Sequence, residues 1–465
     1  MIKYTPEQHD VLDFVQANDG IVLVAAGAGS GKTFLAKQIT LLLKPFRGLY
    51  TAFNKAIVKE GEATFRGTNM ECRTLHGLAY QYVQPKNEIS GLSYKCIEED
   101  ISYKLKYEVI HAIDMFYVSS SVDMFEFFEE YFEKEPKKKL CIELSVKYVE
   151  KMINKELPPS FNFMLKYFHL LLVSGAVECE YDLVILDEIN DTTAVALEIF
   201  KLIKAPKKIC LGETHQAIYD FLNLVNGFEL LEDAPIMNLT QSFRCSEQIA
   251  ESIQSFMRKE VTDKFTFTGT DEPVKNNKRL HVTLTNAKIV EEIAECIEDG
   301  KGFHLLRKLS EIFAYPLAIT SAAAGKEVYQ KQYKHLEEEY ENYARDRRAG
   351  YSFLQHLMDF VDDQETKSAV NLLLLLKRRN INLFDLYAKA KKAEVDTNYT
   401  IATVYTSKGL EFETVFISND LNHRIGAIRE NGGIKNNDDL VAYRCYYVAA
   451  SRAGCNLLNA TVLKD

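Results

Sequence analysis

Apolar and β-branched residues gather in short runs along the chain, each followed by a stretch in which apolar positions recur at helical spacing. Ile21–Ala25 precedes Lys32–Leu43, Gly48–Phe53 precedes Lys55–Ala63, Leu183–Leu186 precedes Thr193–Ile203, and Lys208–Leu211 follows. Short runs without polar alternation fit strands buried on both faces, and the strand-then-helix order predicts a parallel sheet covered by helices on each side. The alternation returns with Ile236–Leu239 before Glu247–Met257, Leu280–Leu284 before Ala287–Ile297, strands at Thr400–Tyr405 and Thr414–Ser418, and a helix near Asp439–Ala453. Two α/β units are the simplest account. Residues 88–170 and 303–392 are instead rich in Glu, Lys, Tyr, Phe and Leu at helical spacings, and they read as two helical insertions. Pro158-Pro159 and the turn Pro136–Lys139 break the first of them.

Composition narrows the function class. The chain has 465 residues, enough for two to four domains, and 47% hydrophobic with 26% charged residues is the balance of a globular protein, not of a disordered or collagenous one. The longest apolar stretches, near Ile21–Ala28 and Leu372–Leu376, fall far short of the ~20 residues of a membrane span. The amino terminus, MIKYTPEQHD, lacks the apolar core of a secretory signal, so a cytoplasmic location is expected, with no membrane partner. Nine cysteines without any CxxC suggest reduced, buried thiols and no zinc framework. A net charge of −10 argues against coating nucleic acid by total charge, but it leaves room for a local basic groove.

The strongest chemical signal is Ala26-Gly27-Ala28-Gly29-Ser30-Gly31-Lys32-Thr33, directly after a buried-strand pattern and opening a helix. Glycines let the backbone curl so that the N–H groups of Ala28, Gly29, Ser30 and Gly31 face an anion at a helix amino end. Lys32 is expected to reach the β- and γ-phosphates of ATP, and the Thr33 hydroxyl to ligate Mg²⁺. The strict pattern opens with Gly where this chain has Ala26. The second half of such a site is Leu183-Val184-Ile185-Leu186-Asp187-Glu188, an apolar strand ending in two carboxylates. Burying such a pair is costly unless it meets a cation, so Asp187 is expected to hold Mg²⁺ and Glu188 to orient and deprotonate the attacking water.

With these motifs the chain resembles the superfamily 1 DNA helicases of the UvrD/Rep/PcrA type. The resemblance runs through AGAGSGKT at 26–33, TLHGLA at 74–79, LDEIND at 186–191, GETHQAIYDF at 212–221, QSFRCSEQIA at 241–250, YTSKGLEF at 405–412 and YVAASRA at 447–453. TPEQHDVLDF near the start, AFNKAIVKE at 52–60 and LPPSFNFMLKYFHL at 157–170 look most like the F-box helicase branch and compact phage relatives, although the F-box itself is absent. The resemblance implies an α/β fold of two RecA-like parallel-sheet domains, a P-loop NTPase with ATP in the cleft between them, each domain carrying a mainly helical insertion. The expected boundaries are 1–84 and 176–225 for the first domain with its insertion at 85–175, and 226–300 and 393–465 for the second with its insertion at 301–392.

Residue by residue, the resemblance implies that Gln8 reads the adenine edge, Phe243 stacks on adenine, and Gln216 senses the γ-phosphate. It places Arg244 and Arg452 as transition-state arginines, Glu411 near the ribose or γ-phosphate, and Gly409 where the backbone must approach closely. Phe53, Tyr219 and Phe221 correspond to base pockets for single-stranded DNA, and Asn54, Thr74 and His76 to backbone contacts. Basic clusters at Lys137–Lys139, Arg345–Arg348, Lys377–Arg379 and Lys391–Lys392 are candidates for duplex contact or simply solvated faces.

Several positions depart from the family pattern. Asn190 stands where Gln is usual, Glu213 where Asp is usual, Tyr405 where His is common, and Phe34 where Arg commonly follows the P-loop Thr. Leu222 and Leu284 replace arginines. The expectation is an ATP- and Mg²⁺-dependent, 3′–5′ single-stranded DNA translocase and helicase, a monomer in isolation that acts at duplex junctions, with a replication or recombination protein as partner, in a bacterial or phage-infected cell. A protein-stripping motor without efficient unwinding and a nucleotide-gated DNA-binding switch are the alternatives.

Overall fold

The computed structural model describes residues 4–52, 55–85, 88–93, 96–97, 99–218, 224–345, 350–361 and 364–464. Phe53, Asn54, Tyr219, Phe221, Leu222 and most of the Arg345–Arg348 cluster therefore lie outside the described residues. The chain forms two compact units, one of residues 1–27 and 31–240, the other of 28–30 and 241–465.

In the first unit six strands, β1 (Gly20–Ala26), β2 (Gly48–Ala52), β3 (Met70–Thr74), β4 (Leu183–Asp187), β5 (Lys207–Gly212) and β6 (Ile236–Leu239), pair in the order β3-β2-β4-β5-β1-β6. Every pairing is parallel. Successive residues of a strand point to opposite faces, so Leu23, Val184, Leu186 and Cys210 enter one core while Val22, Val24, Ile185 and Leu211 enter the other. That two-sided burial is why the central strands read as continuous apolar runs.

Three of the expected boundaries change. Ile236–Leu239 was expected in the second domain, whose start was placed at 226; it pairs with β1 instead, Leu23 opposite Ile236 through Ala26 opposite Leu239, and the first unit extends to Thr240. As an edge strand with one neighbour it leaves Ile236 51% exposed, so its pattern does not reveal which sheet it joins. The second insertion was expected to begin at 301 and run to 392. Its outer parts, the strand His304–Leu305 and the helix Leu383–Ala393, belong to the sheet and its covering core, where Leu305, Leu383 and Leu386 pack with Ile289, Val290 and Ile401. A separate core, built from Tyr315, Ile319, Leu336, Phe353, Leu357 and Val370, occupies the middle of that segment. The helix Gln364–Arg378 faces both, with Val370 toward one core and Leu372 and Leu376 toward the other, which makes the two regions alike in composition.

The sheet of the second unit follows from β9 (Arg279–Thr283), β10 (His304–Leu305), β11 (Tyr399–Thr403), β12 (Phe412–Ile417) and β13 (Ala453–Leu458), in the parallel order β10-β11-β9-β12-β13. A two-stranded pair, β7 (Gln241–Ser246) with β8 (Thr268–Thr270), precedes it. The helix Asn437–Ala450 is buried from Ala442 to its end, so its aromatic residues Tyr443, Tyr446 and Tyr447 are core. No helix among the described residues is long and apolar enough to cross a membrane.

The first insertion has its own core around Val109, Phe116, Phe128, Cys141 and Met164. The helix Phe161–Val173 joins it to the sheet: Phe163 and Met164 enter the insertion core, Leu165 and Phe168 the sheet core. The same helix buries Lys166, whose Nζ donates to the carbonyl oxygens of Ser119 (3.0 Å) and Ser121 and lies 4.3 Å from the centroid of the Phe116 ring. Burial pushes this ammonium down to about 7. Between that value and the ordinary lysine range the unfolded chain holds a proton that the folded chain has released, so stability rises with pH across the window, by at most about 1.4 kcal/mol per pH unit. Comparison of thermal midpoints at pH 7 and pH 9 should show a larger upward shift for the wild-type chain than for Lys166→Met; equal shifts in the two proteins would remove this assignment.

Candidate nucleotide site and nucleic-acid interface

β1 leads into the phosphate loop, where Gly29 and Gly31 have φ of +72° and +83°. These left-handed angles are open to glycine at little cost. Gly31 caps the helix Lys32–Leu43 without any side-chain hydrogen bond, leaving the first-turn N–H groups directed at whatever anion sits before them. Ser30 is buried and its hydroxyl has no hydrogen-bond partner among the described residues, while Thr33 in the first turn is half-buried. Ala28 is buried as well.

Lys32 meets the acidic pair. Its Nζ donates to Glu188 Oε1 at 2.8 Å. Burial alone would lower this ammonium, but the charges of Glu188 and Asp187 outweigh it and hold the group above its ordinary value. Asp187 ends β4, buried; desolvation and the neighbouring Glu188 charge push its carboxyl up, while Lys32 and Tyr50 pull it down. The Asp187 oxygens are both engaged, Oδ1 by the Glu188 backbone N–H (2.9 Å) and Oδ2 by the Tyr50 hydroxyl. Glu188 itself sits at φ +53°, a left-handed conformation that costs a non-glycine residue about 1–3 kcal/mol and is characteristic of functional positions.

β5 brings a third acidic group. Asn190 Oδ1 accepts from the Glu213 backbone N–H at 2.9 Å, and Gln216 Nε2 donates to Glu213 Oε2 at 2.5 Å, with all three residues buried. Gly212 permits this approach, since a Cβ there would lie 2.6 Å from Asn190 Oδ1 and 3.0 Å from Ile189 Cγ2.

Gln8 is placed by a reciprocal cap. Its backbone N–H donates to Thr5 Oγ1 and its Oε1 accepts from the Thr5 N–H, both at 3.1 Å, which starts the helix Pro6–Ala17. The neighbouring Glu7 accepts from the Thr240 N–H (2.7 Å) and hydroxyl (2.6 Å), tying that helix to the end of the unit.

Of the expected DNA contacts, Thr74 and His76 are described. Thr74 caps the helix Leu75–Val83 by accepting from the Gly77 N–H at 3.0 Å. His76 Nε2 lies 3.4 Å from Asn162 Oδ1, its ring is edge-on to Phe161, and burial lowers its pKa. Phe161 is 53% exposed, with Lys55 Nζ 6.0 Å from its ring centroid. Lys55, Phe161 and Asn162 were not singled out as site residues; the quoted stretches AFNKAIVKE and LPPSFNFMLKYFHL carry them. A small enclosed cavity lined by Leu75, His76, Leu165, Leu186, Asp187, Glu188, Thr192 and Ala196 places His76 on the same void as the acidic pair.

Within the second unit the expected arginines come together. Arg244 Nε forms an ion pair with Glu411 at 3.5 Å, and its Nη1 donates to the Ser451 carbonyl at 3.1 Å. Arg452, 1% exposed, donates to the carbonyls of Val448 (3.0 Å) and Leu410 (3.2 Å) and to Ser451 Oγ (3.2 Å). Gly409 has φ +84°, and Phe243 is an exposed aromatic at 42%. Of the basic clusters, Arg379 pairs with Glu298 and Lys391 lies 4.5 Å from the Tyr387 ring centroid, both arrangements open to a solvated-face reading.

Comparison with known proteins fits this arrangement. Residues 9–222 match the family model of an AAA domain, and residues 304–461 match that of the UvrD-like helicase C-terminal domain. F-box DNA helicase 1 of Gallus gallus is 25% identical over 467 residues, covering 90% of this chain and 45% of that protein. F-box DNA helicase protein 1 of Schizosaccharomyces pombe is 22% identical over 533 residues, covering 99% of this chain and 58% of that protein. The chain spans about half the length of these curated relatives. With Lys32 joined to an acidic pair in the first unit, clustered arginines in the second, and both family models matched in order, the chain belongs to the UvrD-like superfamily 1 helicases.

Proposed function

We propose that the chain is an ATP- and Mg²⁺-dependent motor that moves 3′–5′ along single-stranded DNA and unwinds duplex at junctions. The observation that carries this reading is the half-buried contact of Lys32 with Glu188 beside Asp187, at the carboxyl ends of parallel strands where α/β sheets bind their ligands.

The residues suit a hard divalent cation. A buried and a half-buried carboxylate face the Lys32 ammonium, and burial already pushes the Asp187 carboxyl up, so added positive charge among oxygen ligands would relieve the site. Asp187 and the Thr33 hydroxyl are the groups that would hold Mg²⁺, which when bound would neutralise charge on the β- and γ-phosphates of ATP. Lys32 would pass from Glu188 to the phosphates and so free Glu188 to take a proton from the attacking water. Gln216, held through Glu213 to Asn190, would sense the γ-phosphate. Arg244 and Arg452 would stabilise charge on the transferring phosphoryl group. Gln8 and Phe243 would hold adenine, and Gly409 and Glu411 would lie beside the nucleotide. For DNA, Phe53, Tyr219 and Phe221 are assigned to bases, and Asn54, Thr74 and His76 to the backbone. Replication, recombination or repair is the proposed setting, with a further protein of that machinery as partner and the cytoplasm as the compartment.

Steady-state ATP hydrolysis should rise strongly when saturating single-stranded DNA is added, and a 3′-tailed duplex should be unwound in preference to a 5′-tailed one. Indifference of hydrolysis to DNA would overturn the motor reading, and stimulation without strand displacement would leave a translocase that strips proteins. Glu188→Gln should lower kcat by about 10²–10⁴ while nucleotide binding persists, as expected for loss of a general base. Arg452→Ala should lower kcat by about 10³ or more with ATP affinity largely kept, and an unchanged kcat would reduce Arg452 to a structural residue.

A further inference from the structure

We infer that Tyr50 is a positioning residue for the metal-binding carboxylate of Asp187. The assignment rests on the proposed nucleotide site and deepens it, because it names what sets the carboxylate's orientation.

Tyr50 lies in the middle of β2, opposite Ile185 of β4, so Asp187, two residues on, is its diagonal neighbour on the same face of the sheet. Its ring is 1% exposed and occupies a fitted slot. Gly61, on the helix that follows β2, leaves room for it: a Cβ at that position would stand 2.5 Å from Tyr50 Cε1. Phe65 closes the other side, ring centroid to ring centroid 4.9 Å. Apolar packing alone would be served by phenylalanine. The hydroxyl spends its proton on Asp187 Oδ2, and the Glu188 backbone N–H holds Oδ1, so the plane of the carboxylate is fixed from two sides.

A carboxylate offers about four acceptor directions, and two donors leave the others for a cation. Donors behind a metal-binding group fix its orientation, and removing one commonly weakens metal binding about 10–100-fold. A tyrosine inside an apolar strand thereby acts at the metal site without touching the nucleotide.

The test is Tyr50→Phe in the full chain, which keeps the ring in its slot and removes only the hydroxyl. Binding of Mn²⁺ in the presence of ADP, read from the free-ion electron paramagnetic resonance signal, should weaken about tenfold. Affinity for a fluorescent ADP without any divalent ion should stay at the wild-type value. Gly61→Ala, which drives a Cβ into the ring, should weaken Mn²⁺ binding in the wild-type background and add nothing to Tyr50→Phe. Wild-type Mn²⁺ affinity in Tyr50→Phe overturns the assignment alone. Parallel loss of metal-free ADP affinity also overturns it, as a general disturbance of the fold. A wild-type chain that takes up no Mn²⁺ with ADP overturns the nucleotide-site reading and this assignment with it.

Discussion

The first unit is organised around one electrostatic problem, three acidic side chains at one end of a sheet, two of them buried and the third half-buried. Asp187, Glu188 and Glu213 come from the ends of β4 and β5, and Lys32, from the helix after β1, is the ammonium that meets them. An isolated buried carboxylate is so costly that the site is tenable only with its full set of partners. Each carboxylate takes its partner from a different strand: Glu188 from Lys32 after β1, Asp187 from Tyr50 on β2, and Glu213 from Gln216 after β5. A parallel sheet delivers this, since all its carboxyl ends lie on one side.

Strand order sets who meets whom. β1 and β4 are not neighbours; β5 lies between them. The gap is spanned by the length of the Lys32 side chain, reaching Glu188, and it leaves the end of β5 beneath both, where Glu213 and Gln216 lie. Gln216 is thereby held close to the contact between Lys32 and the acidic pair, through its hydrogen bond to Glu213. The helix Phe161–Val173 attaches a second consequence, because Leu165 lines the cavity shared by Glu188 and His76 while Phe163 and Met164 root the helix in the insertion core.

What the sequence revealed follows burial. Central strands such as β1, β2, β4 and β5 are apolar on both faces and stand out as runs, and the phosphate loop and acidic pair are legible because their spacing is dictated by chemistry. Besides the small pair β7 and β8, the strands that were missed or assigned to the wrong unit, β3, β6, β10 and β13, are the four edges of the two larger sheets. An edge strand needs one neighbour and one covered face, so polar residues such as Glu71 and Arg73 in β3 or Asn456 in β13 are tolerated and the pattern dissolves. Tyr50 escaped notice for the opposite reason: its ring satisfies the apolar pattern of a core strand, and only the position of its hydroxyl separates it from a phenylalanine. Lys55, Phe161 and Asn162 were hidden by distance in the chain, since His76 meets Asn162 across 86 positions.

Two departures from the family pattern lie side by side in the structure. Asn190 is one methylene shorter than the usual glutamine, and Glu213 one methylene longer than the usual aspartate. The short carboxamide lies against the backbone of Gly212–Glu213, where Oδ1 takes the Glu213 N–H and any Cβ on residue 212 would collide with it. The longer glutamate extends away from that contact and accepts from Gln216 Nε2. Asn190 meets residue 213 through its backbone N–H, whatever the length of that side chain, and the Glu213 carboxylate separately meets Gln216, so the two changes act at different contacts of one buried turn. Loss of the Glu213 carboxylate would take that acceptor from the buried Gln216 amide, at about 1–3 kcal/mol.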